Sequence, residues 1–264
     1  MFSAKVLLDS QGFHSRLTTM EITYPRCIHA EMLRHRVFSR NTASSRAIPI
    51  AKVIKQVREN PFIPLHWGAA QGGMQAYAEV NEEAQADASA VWIQLSRIAC
   101  RTAETLSEDL GLHKQVVNRI LEPWVWCTEI ISGTQWSNFF HLRCHEAAEP
   151  HCQKIAYMIR DALQASVPKV LEDGEWHIPM MDEYEREDFT LSEQLAIATG
   201  RLARVSYLTH NGVRDCLEDI TLHDRLKVSG HMSPFEHCAQ VTLEALAEYV
   251  MDDSKGYTMP NKLL

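Results

Sequence analysis

Residues 31–49, EMLRHRVFSRNTASSRAIP, concentrate side chains that bind anions. The stretch holds four arginines, a histidine and four small hydroxyl residues on a chain whose formal net charge is -8. Guanidinium forks and hydroxyl donors in a tight loop suit phosphate oxygens. The alternative is a solvated basic helix end, which would also suit the helix dipole. The donors after the first arginines favour a focused anion site: Ser39, Asn41, Ser44, Ser45 and Arg46.

A second group of candidate side chains lies in HLRCHEAAEPHC, residues 141–152. Its metal-ligand types are His141, Cys144, His145, His151 and Cys152. Two of the histidines stand four apart and would share one face of a helix. The order matches no zinc pattern, however, and Arg143 would repel a cation. The sequence therefore predicts no metal site, and metal chemistry is kept only as an alternative.

The segment SGHMSPFEHC brings His231, Ser233, Glu236 and His237 together. A glutamate beside histidines could form an acid/base pair. The same letters also predict a helix start, with Ser233 as the cap and Glu236 completing a capping box. Both interpretations can hold at once. The chain has no GxGxxG, GxxxxGK[ST] or GxSxG motif, which argues against Rossmann, P-loop and α/β-hydrolase sites.

Length and composition allow one large domain or two small ones, and the lack of a repeat or a low-complexity linker favours a single domain over residues 1–264. The 264 residues are 45% hydrophobic, enough for a real core. The acidic balance argues against a nucleic-acid polymer or a membrane surface as partner. No apolar run is long enough to span a bilayer, and no signal peptide is evident, so a cytoplasmic location is expected. Seven scattered cysteines without a CxxC pair indicate free thiols.

Hydrophobic periodicity predicts a helix-rich α+β fold to position these side chains. Strands are expected at residues 5–10 and 16–25, and a loop at 39–50. Residues 233–250 are expected to begin helical and pass into a strand. The expected helices cover residues 26–38, 50–60, 74–110 with Gly111 as the stop, 113–122 ending before Pro123, a segment from Pro150 on, 192–208 and 216–230.

The stretch RHRVFSRNTASSR resembles the signature of the flavin-dependent thymidylate synthases, the ThyX family. The matching positions are Arg34, His35, Arg36, Ser39, Asn41, Ser44 and Arg46. GHMSPFEH resembles a second family segment, with Ser233 in place of a threonine. LARVSY, VVNRILEPWVWCTE and SNFFHLRCHEAAEPH are similar to three more. The resemblance implies a ThyX-like fold with a mixed or antiparallel sheet.

The order of these segments differs from the usual family layout. The Arg-Val-Ser and Pro-Phe-Glu-His segments normally precede Arg-His-Arg, whereas here they follow it. We infer a circular permutation, cut around a strand represented by TTMEITYP and AQVTLEAL. Three positions also depart from the motif: Glu31 replaces a glutamine, Thr42 a glutamate and Ala47 a tyrosine. Because a carboxylate only accepts hydrogen bonds, the first two departures bear on which pyrimidine nucleotide fits.

The resemblance implies reductive methylation of dUMP at C5, in which methylenetetrahydrofolate supplies the carbon and NADPH reduces FAD. It implies catalytic roles for Arg119, Arg143 and Ser39, the last as a positioning hydroxyl. Cofactor-binding roles fall on Arg34, His35, Arg36, Asn138, Ser206, His231, Ser233 and Glu236. Substrate-binding roles fall on Glu31, Ser44, Ser45, Arg46, Arg119 and Arg143. A homotetramer is expected, with sites where subunits meet.

Three alternatives stay open. A close variant would act on another pyrimidine nucleotide such as dCMP, or would leave a hydroxymethyl group. A non-flavin metal enzyme would use the histidine and cysteine cluster at 141–152. A non-catalytic relative would bind the nucleotide without turnover, as the substituted motif positions allow.

Overall fold

A five-stranded mixed sheet forms the centre of the computed structural model, which describes residues 1–13, 15–212 and 214–242. The strand order is β3-β4-β2-β1-β5, and the pairing of β1 with β5 is parallel while the other pairs are antiparallel. Two further short strands, β6 and β7, pair with each other. The strands are β1 (Ser3–Gln11), β2 (Arg16–Pro25), β3 (Ser39–Thr42), β4 (Trp126–Gly133), β5 (Lys169–Val170), β6 (Trp176–His177) and β7 (Ala239–Gln240).

The helices lie around this sheet. They are α1 (His29–Leu33), α2 (Ile50–Glu59), α3 (Glu82–Glu104), α4 (Lys114–Val117), α5 (Ser137–Arg143), α6 (Pro150–Ala165), α7 (Glu183–Asp188), α8 (Leu191–Arg204) and α9 (Cys216–Ser229). Single 3-10 turns cover Arg26–Ile28, Asn118–Trp124, Val205–Tyr207 and Ser233–His237. The expected helix-rich α+β class with a mixed sheet is confirmed.

The core lies on both sides of the two central strands. Met20 and Ile22 of β2 pack with Ile155 and Ile159 of α6, and all four are fully buried. A second cluster joins α2, α3 and the 3-10 turn at Asn118–Trp124. β4 is buried almost throughout, so its sequence WCTEIISG lacks the alternation of a half-exposed strand. No strand was predicted there.

The helix expected at 26–38 is much shorter, because its C-terminal carbonyls find another partner. The guanidinium of Arg40 donates to the carbonyls of Met32 and His35 at 2.8 and 3.2 Å. The chain then turns and enters β3, where a loop was expected. β3 pairs with β4 from Ser39 opposite Ser132 to Thr42 opposite Glu129. The loop prediction for residues 39–42 was therefore wrong.

The long helix begins later than expected. Asn81 caps α3 by accepting from the amide of Ala84, and residues 74–81 are not helical. A π turn at Thr105–Asp109 follows, and Gly111 has φ +67, so it stops the helix as predicted. The turn at Asn118–Trp124 includes Pro123, so the helical segment does not end before it.

Two sequence predictions concern the chain as a whole. All seven cysteines are free thiols. No helix in the described ranges is long and apolar enough to cross a membrane. Of the segment expected to pass into a strand, residues 243–250 lie outside the described residues, and the described β7 pairs with β6 rather than with the five-stranded sheet. A single domain over 1–264 stays a prediction.

Candidate active site

Glu129, at the centre of β4, organises the arginine-rich segment. It is fully buried and accepts hydrogen bonds from three side chains: Tyr24 at 2.6 Å, Arg40 at 3.1 Å and Thr42 at 3.1 Å. Arg40 is therefore an internal structural cation rather than a free anion binder. Thr42, which stands where the ThyX motif has glutamate, donates its hydroxyl to a carboxylate supplied by the neighbouring strand.

Phe38 anchors the turn between α1 and β3. Its ring lies 4.5 Å from the ring of Trp136, and a Cβ on Gly133 would come within 2.4 Å of it. Only glycine at position 133 lets the ring approach the strand this closely. The aromatic contact buries Phe38 while Arg34 and Arg36 on the same turn remain exposed. Their guanidinium groups are thus presented outward.

His35 on this turn contacts Arg143 at the end of α5. The Nε of Arg143 donates to Nε2 of His35 at 2.9 Å, and its Nη2 reaches the carbonyl of Glu31 at 3.4 Å. Burial, and secondarily the charge of Arg143, lower the pKa of His35 to about 4, so the imidazole is neutral at pH 7. Asn138, on the same helix as Arg143, is exposed. Two segments singled out separately in the sequence meet here.

Two side chains of the segment carry buried polar atoms without a partner among the described residues. They are Oε2 of Glu31, which can only accept when ionised, and Nδ2 of Asn41, which donates. Buried polar atoms are normally paired, and an unpaired one calls for a specific explanation. An imide edge, present in both uracil and the flavin ring, offers an N–H donor and carbonyl acceptors of the matching kinds.

Ser45 and Arg119 meet at one carboxylate. The hydroxyl of Ser45 donates to Oε1 of Glu122 at 2.5 Å, and the guanidinium of Arg119 donates to the same atom at 2.8 Å. The backbone amide of Arg46 bonds the hydroxyl of Ser44 at 3.3 Å, which closes the loop locally. The side chain of Arg46 is exposed. Ser44, Ser45 and Arg46, which were predicted to bind the phosphate, are therefore neighbours, but Glu122 already engages Ser45 together with Arg119, which was predicted to lie beside the base.

The C-terminal segments reach the same region. The carbonyl of Ser206 accepts from the amide of Ser44 at 3.0 Å, and the turn at Ser233–His237 packs against β3. Within that turn, His237 is fully buried and its Nδ1 lies 2.7 Å from the hydroxyl of Ser132 on β4. Ser206 thus lies beside the loop that holds Ser44 and Ser45.

The predicted capping box at this turn was wrong. The turn is a short 3-10 helix that begins at Ser233 itself, Met232 precedes it, and no side-chain cap is formed. Ser233 and His231 are exposed, and Nδ1 of His231 lies 2.8 Å from the hydroxyl of Ser229. Glu236 is half-buried. The turn that carries Ser233 and Glu236 packs against β3.

The candidate metal ligands at 141–152 do not converge. His151 uses both ring nitrogens within the protein, with Glu149 on one side and the amide of Leu65 on the other. Cys152 is buried beside Met32, and burial raises its pKa to about 12. His141 and His145 are exposed. No group of three potential ligands that could hold a metal ion is found within the described residues.

Sequence reasoning missed the two carboxylates that organise the site. The signal for Glu129 was a charged residue inside an otherwise apolar run, which requires a buried partner. The signal for Glu122 was its position three residues after Arg119, within reach on one helical turn. The contacts of Glu129 with Arg40 and of Glu122 with Ser45 join distant parts of the chain, so pattern analysis alone could not pair them.

Residues 13–169, more than half of the chain, match the sequence profile of Thy1, the thymidylate synthase complementing protein family. The chain belongs to this family. The matched part of the Thy1 member runs from β2 to β5 and contains Glu31, the arginine-rich segment, Arg119 and Arg143. It excludes Ser206 and the turn at Ser233–His237, which the tertiary structure nevertheless brings to β3 and β4.

Solved structures of similar fold are known. A UMP/dUMP methylase, PolB from Streptomyces cacaoi, in a complex with 5-Br UMP, is 13% identical, with a TM-score of 0.51 over 62% of this chain and 88% of that one. ThyX from Helicobacter pylori, crystallised with FAD and dUMP, is 17% identical, with a TM-score of 0.41 over 56% of this chain and 67% of that one. At these identities the likeness shows the Thy1 fold alone. No curated protein matches the chain.

Proposed function

We propose that this protein is a flavin-dependent thymidylate synthase, which methylates dUMP at C5 with methylenetetrahydrofolate as the carbon source and NADPH as the reductant. The observation that carries the proposal is the contact between His35 and Arg143. It joins the Arg-His-Arg motif to a second segment that resembles the same family. Membership of the Thy1 family supports the same reaction class.

The side chains divide into two groups. Ser44, Ser45 and Arg46 would hold the nucleotide phosphate, since they lie together on one loop and offer hydroxyl and guanidinium donors. The family resemblance implies that Arg143 joins them at the phosphate; because Arg143 donates to His35, we assign it instead to holding His35 and bordering the base. Arg119 would stabilise negative charge that develops on the pyrimidine carbonyl, the logic of an oxyanion hole. Ser39 begins β3 opposite Ser132, and we assign it a positioning role.

The residues present fit a flavin. Arg34, Arg36 and Asn138 are exposed around the buried His35, and Asn41 offers an unpaired donor. Ser206, His231, Ser233 and Glu236 would complete the cofactor contacts. When bound, FAD supplies the hydride chemistry, while the protein supplies binding and orientation. The homotetramer, the cytoplasmic location and the circular permutation stay predictions.

A second candidate is methylation or hydroxymethylation of another pyrimidine nucleotide. Glu31 motivates it, because it replaces the glutamine of the motif and its Oε2, which is buried and unpaired among the described residues, accepts from a donor when ionised. The 4-amino group of cytosine, the N3–H of uracil and a ribose hydroxyl are such donors. The PolB methylase, whose substrates include UMP, shows that the fold accommodates more than one nucleotide.

The test combines a spectrum with product analysis. Purified protein should show flavin absorbance that changes on titration with dUMP. With FAD, NADPH and methylenetetrahydrofolate it should convert dUMP to dTMP, which mass spectrometry detects. Parallel reactions with UMP and dCMP identify the preferred nucleotide. Turnover of dCMP alone would rule out thymidylate synthesis, and flavin and dUMP binding without NADPH oxidation would indicate a non-catalytic relative.

Arg143→Met tests the observation on which the proposal depends. Removing a hydrogen-bond donor that stabilises the transition state lowers kcat by about 10²–10³, and we expect a loss of up to this size in Arg143→Met. Arg160→Met is the matched control, since Arg160 lies on α6, is partly exposed and pairs with Asp161. Equal effects of the two substitutions would remove the assigned role of Arg143. A metal-containing protein without flavin would favour the metal alternative instead.

A further inference from the structure

Two hydrogen-bond donors and one more distant cation surround a single carboxylate oxygen, Oε1 of Glu122. The hydroxyl of Ser45 lies at 2.5 Å, Nη1 of Arg119 at 2.8 Å and Nε of Arg26 at 3.9 Å. One hydroxyl and two guanidinium groups around one anionic oxygen is the environment of a bound anion. Here the chain itself supplies the anion.

A small cavity of about 20 Å³ lies beside this carboxylate. Arg26, Ser45, Asn118 and Glu122 contribute the polar part of its wall. Asn118 is buried, and its amide donates to the carbonyls of Ser45 and Ile48, so it fixes the loop that carries the hydroxyl. Its Oδ1 has no partner among the described residues. The wall therefore combines the Arg26 guanidinium, the Glu122 carboxylate, a hydroxyl and an unpaired acceptor.

The hydrogen bond from Ser45 to Glu122 prevents Ser45 from donating to a ligand. A serine hydroxyl has one hydrogen to donate, so Ser45 cannot donate to a ligand while it donates to Glu122. The pair of Arg119 and Glu122 is easily broken, because the side chains are 51% and 27% exposed and exposed pairs are weak. A phosphate dianion at Ser45 would also be repelled by the carboxylate.

We propose that Glu122 is an internal placeholder for the substrate phosphate. In the free protein its carboxylate holds Ser45 and Arg119 in place. The phosphate of the nucleotide displaces it, takes the hydroxyl of Ser45 and frees Arg119 for the base. Glu122 thereby sets the affinity for anionic ligands and disfavours those too weak to compete. The inference rests on the proposed function only for the identity of the ligand that carries the phosphate, a pyrimidine nucleotide.

The test measures binding to the Glu122→Gln variant. The probes are inorganic phosphate, dUMP and deoxyuridine, titrated by calorimetry at fixed salt. Glutamine keeps the shape and one acceptor oxygen but removes the competing charge. Because an exposed ion pair is worth at most about 1 kcal/mol, we expect Kd for phosphate and dUMP to fall about fivefold. The Kd of deoxyuridine, which has no phosphate, should stay unchanged.

Glu104→Gln is the matched control. Glu104 pairs with Arg58 at 2.6 Å, its side chain is 31% exposed, and it lies outside the cavity wall. The substitution changes the net charge equally, so it should leave all three Kd values unchanged. Glu122→Asp is a second variant, in which the shorter carboxylate withdraws from Ser45 and phosphate binding should tighten by a smaller factor. Urea unfolding of each variant verifies that the fold is retained.

Several outcomes overturn the placeholder role. Unchanged or weaker phosphate and dUMP binding in Glu122→Gln would show that the carboxylate is a ligand-binding group or a bystander. If phosphate and dUMP bound equally more tightly to Glu104→Gln, the effect would come from net charge alone. If deoxyuridine also bound more tightly to Glu122→Gln, the effect would lie at the base or sugar and not at the phosphate. Absence of phosphate binding in both proteins would also contradict it. Tighter phosphate binding without flavin-dependent turnover would support the placeholder while the proposed function fails.

Discussion

Substitution of Glu129 by glutamine should destabilise the protein strongly, because it removes the charge that compensates Arg40. Glu129 is fully buried, and the side chain of Arg40 is 10% exposed. The carboxylate accepts from Tyr24, Arg40 and Thr42. Glutamine retains one acceptor oxygen and introduces an NH2 group that faces at least one of these donors. Because each carboxylate oxygen accepts two of these bonds, two hydrogen bonds are lost, and the guanidinium is left without a counter-ion.

The magnitude follows from these contacts. A hydrogen bond to a charged group contributes about 1.5–3 kcal/mol, and removing one partner of a buried ion pair costs about 3–5 kcal/mol. Since glutamine keeps part of the bonding, we expect a loss of about 3 kcal/mol in the free energy of unfolding. At 2–4 °C per kcal/mol for a chain of this size class, Tm should fall by about 6–12 °C.

The assay is urea unfolding followed by tryptophan fluorescence, which the six tryptophans provide. A double-mutant cycle with Arg40→Met isolates the pair. Once the cation is removed, Glu129→Gln should cost less than in the wild type, with a coupling energy of about 1–3 kcal/mol. Glu104→Gln, which breaks an exposed pair with Arg58, should cost less than about 1 kcal/mol.

The reasoning would be refuted by a loss below about 1 kcal/mol in Glu129→Gln, or by a coupling energy near zero. Either result would mean that Arg40 does not depend on Glu129 for its charge compensation. The turn that presents His35 should loosen with the pair, because Arg40 also holds the carbonyl of His35. A folded Glu129→Gln variant should therefore bind dUMP more weakly as well.

Two further predictions concern packing and pH. Gly200→Ala should destabilise the protein by about 1–3 kcal/mol in urea unfolding, because the new Cβ would lie 2.4 Å from the carbonyl oxygen of Asp219, whereas Gly212→Ala, with open space around it, should have little effect. Burial lowers the pKa of His177 and of His237 to about 3 each. Because the unfolded chain then binds more protons below about pH 6.5, the free energy of unfolding should fall between pH 6.5 and 5 by up to about 1.4 kcal/mol per pH unit for each histidine. His237→Gln should reduce that slope by one proton, and a pH-independent stability in this range would contradict the assignment of neutral buried histidines.

Local patterns were sufficient for much of the fold. The strands at β1 and β2 and the helices α2, α6, α8 and α9 follow from periodicity and end signals, because local spacing records which face is buried. β4 was missed because a strand covered on both faces has no alternation to read. β3 was predicted as part of a loop because Arg40 and Thr42 are polar, and their partner Glu129 is distant in sequence.

The candidate site shows the same division. Residue types and spacing in the segment 31–46 predicted an anion-binding motif and a family resemblance. The family match confirmed the resemblance, and the anion-binding role stays a prediction. They could not tell that Arg40 is internal while Arg34, Arg36 and Arg46 are exposed. All four are arginines in one short stretch, and only the position of a buried carboxylate separates their roles.

The sequence by itself determined the helix-rich class, the segments that belong to the site and the chemistry of their side chains, since these depend on residue type and local spacing. The tertiary structure alone decided which polar side chains of the site already have a partner within the protein. It brought Glu129 to Arg40 and Glu122 to Ser45 across 89 and 77 positions of the chain. Pairing over such separations depends on how the strands and helices pack. The local sequence around a carboxylate does not indicate which distant side chain will donate to it.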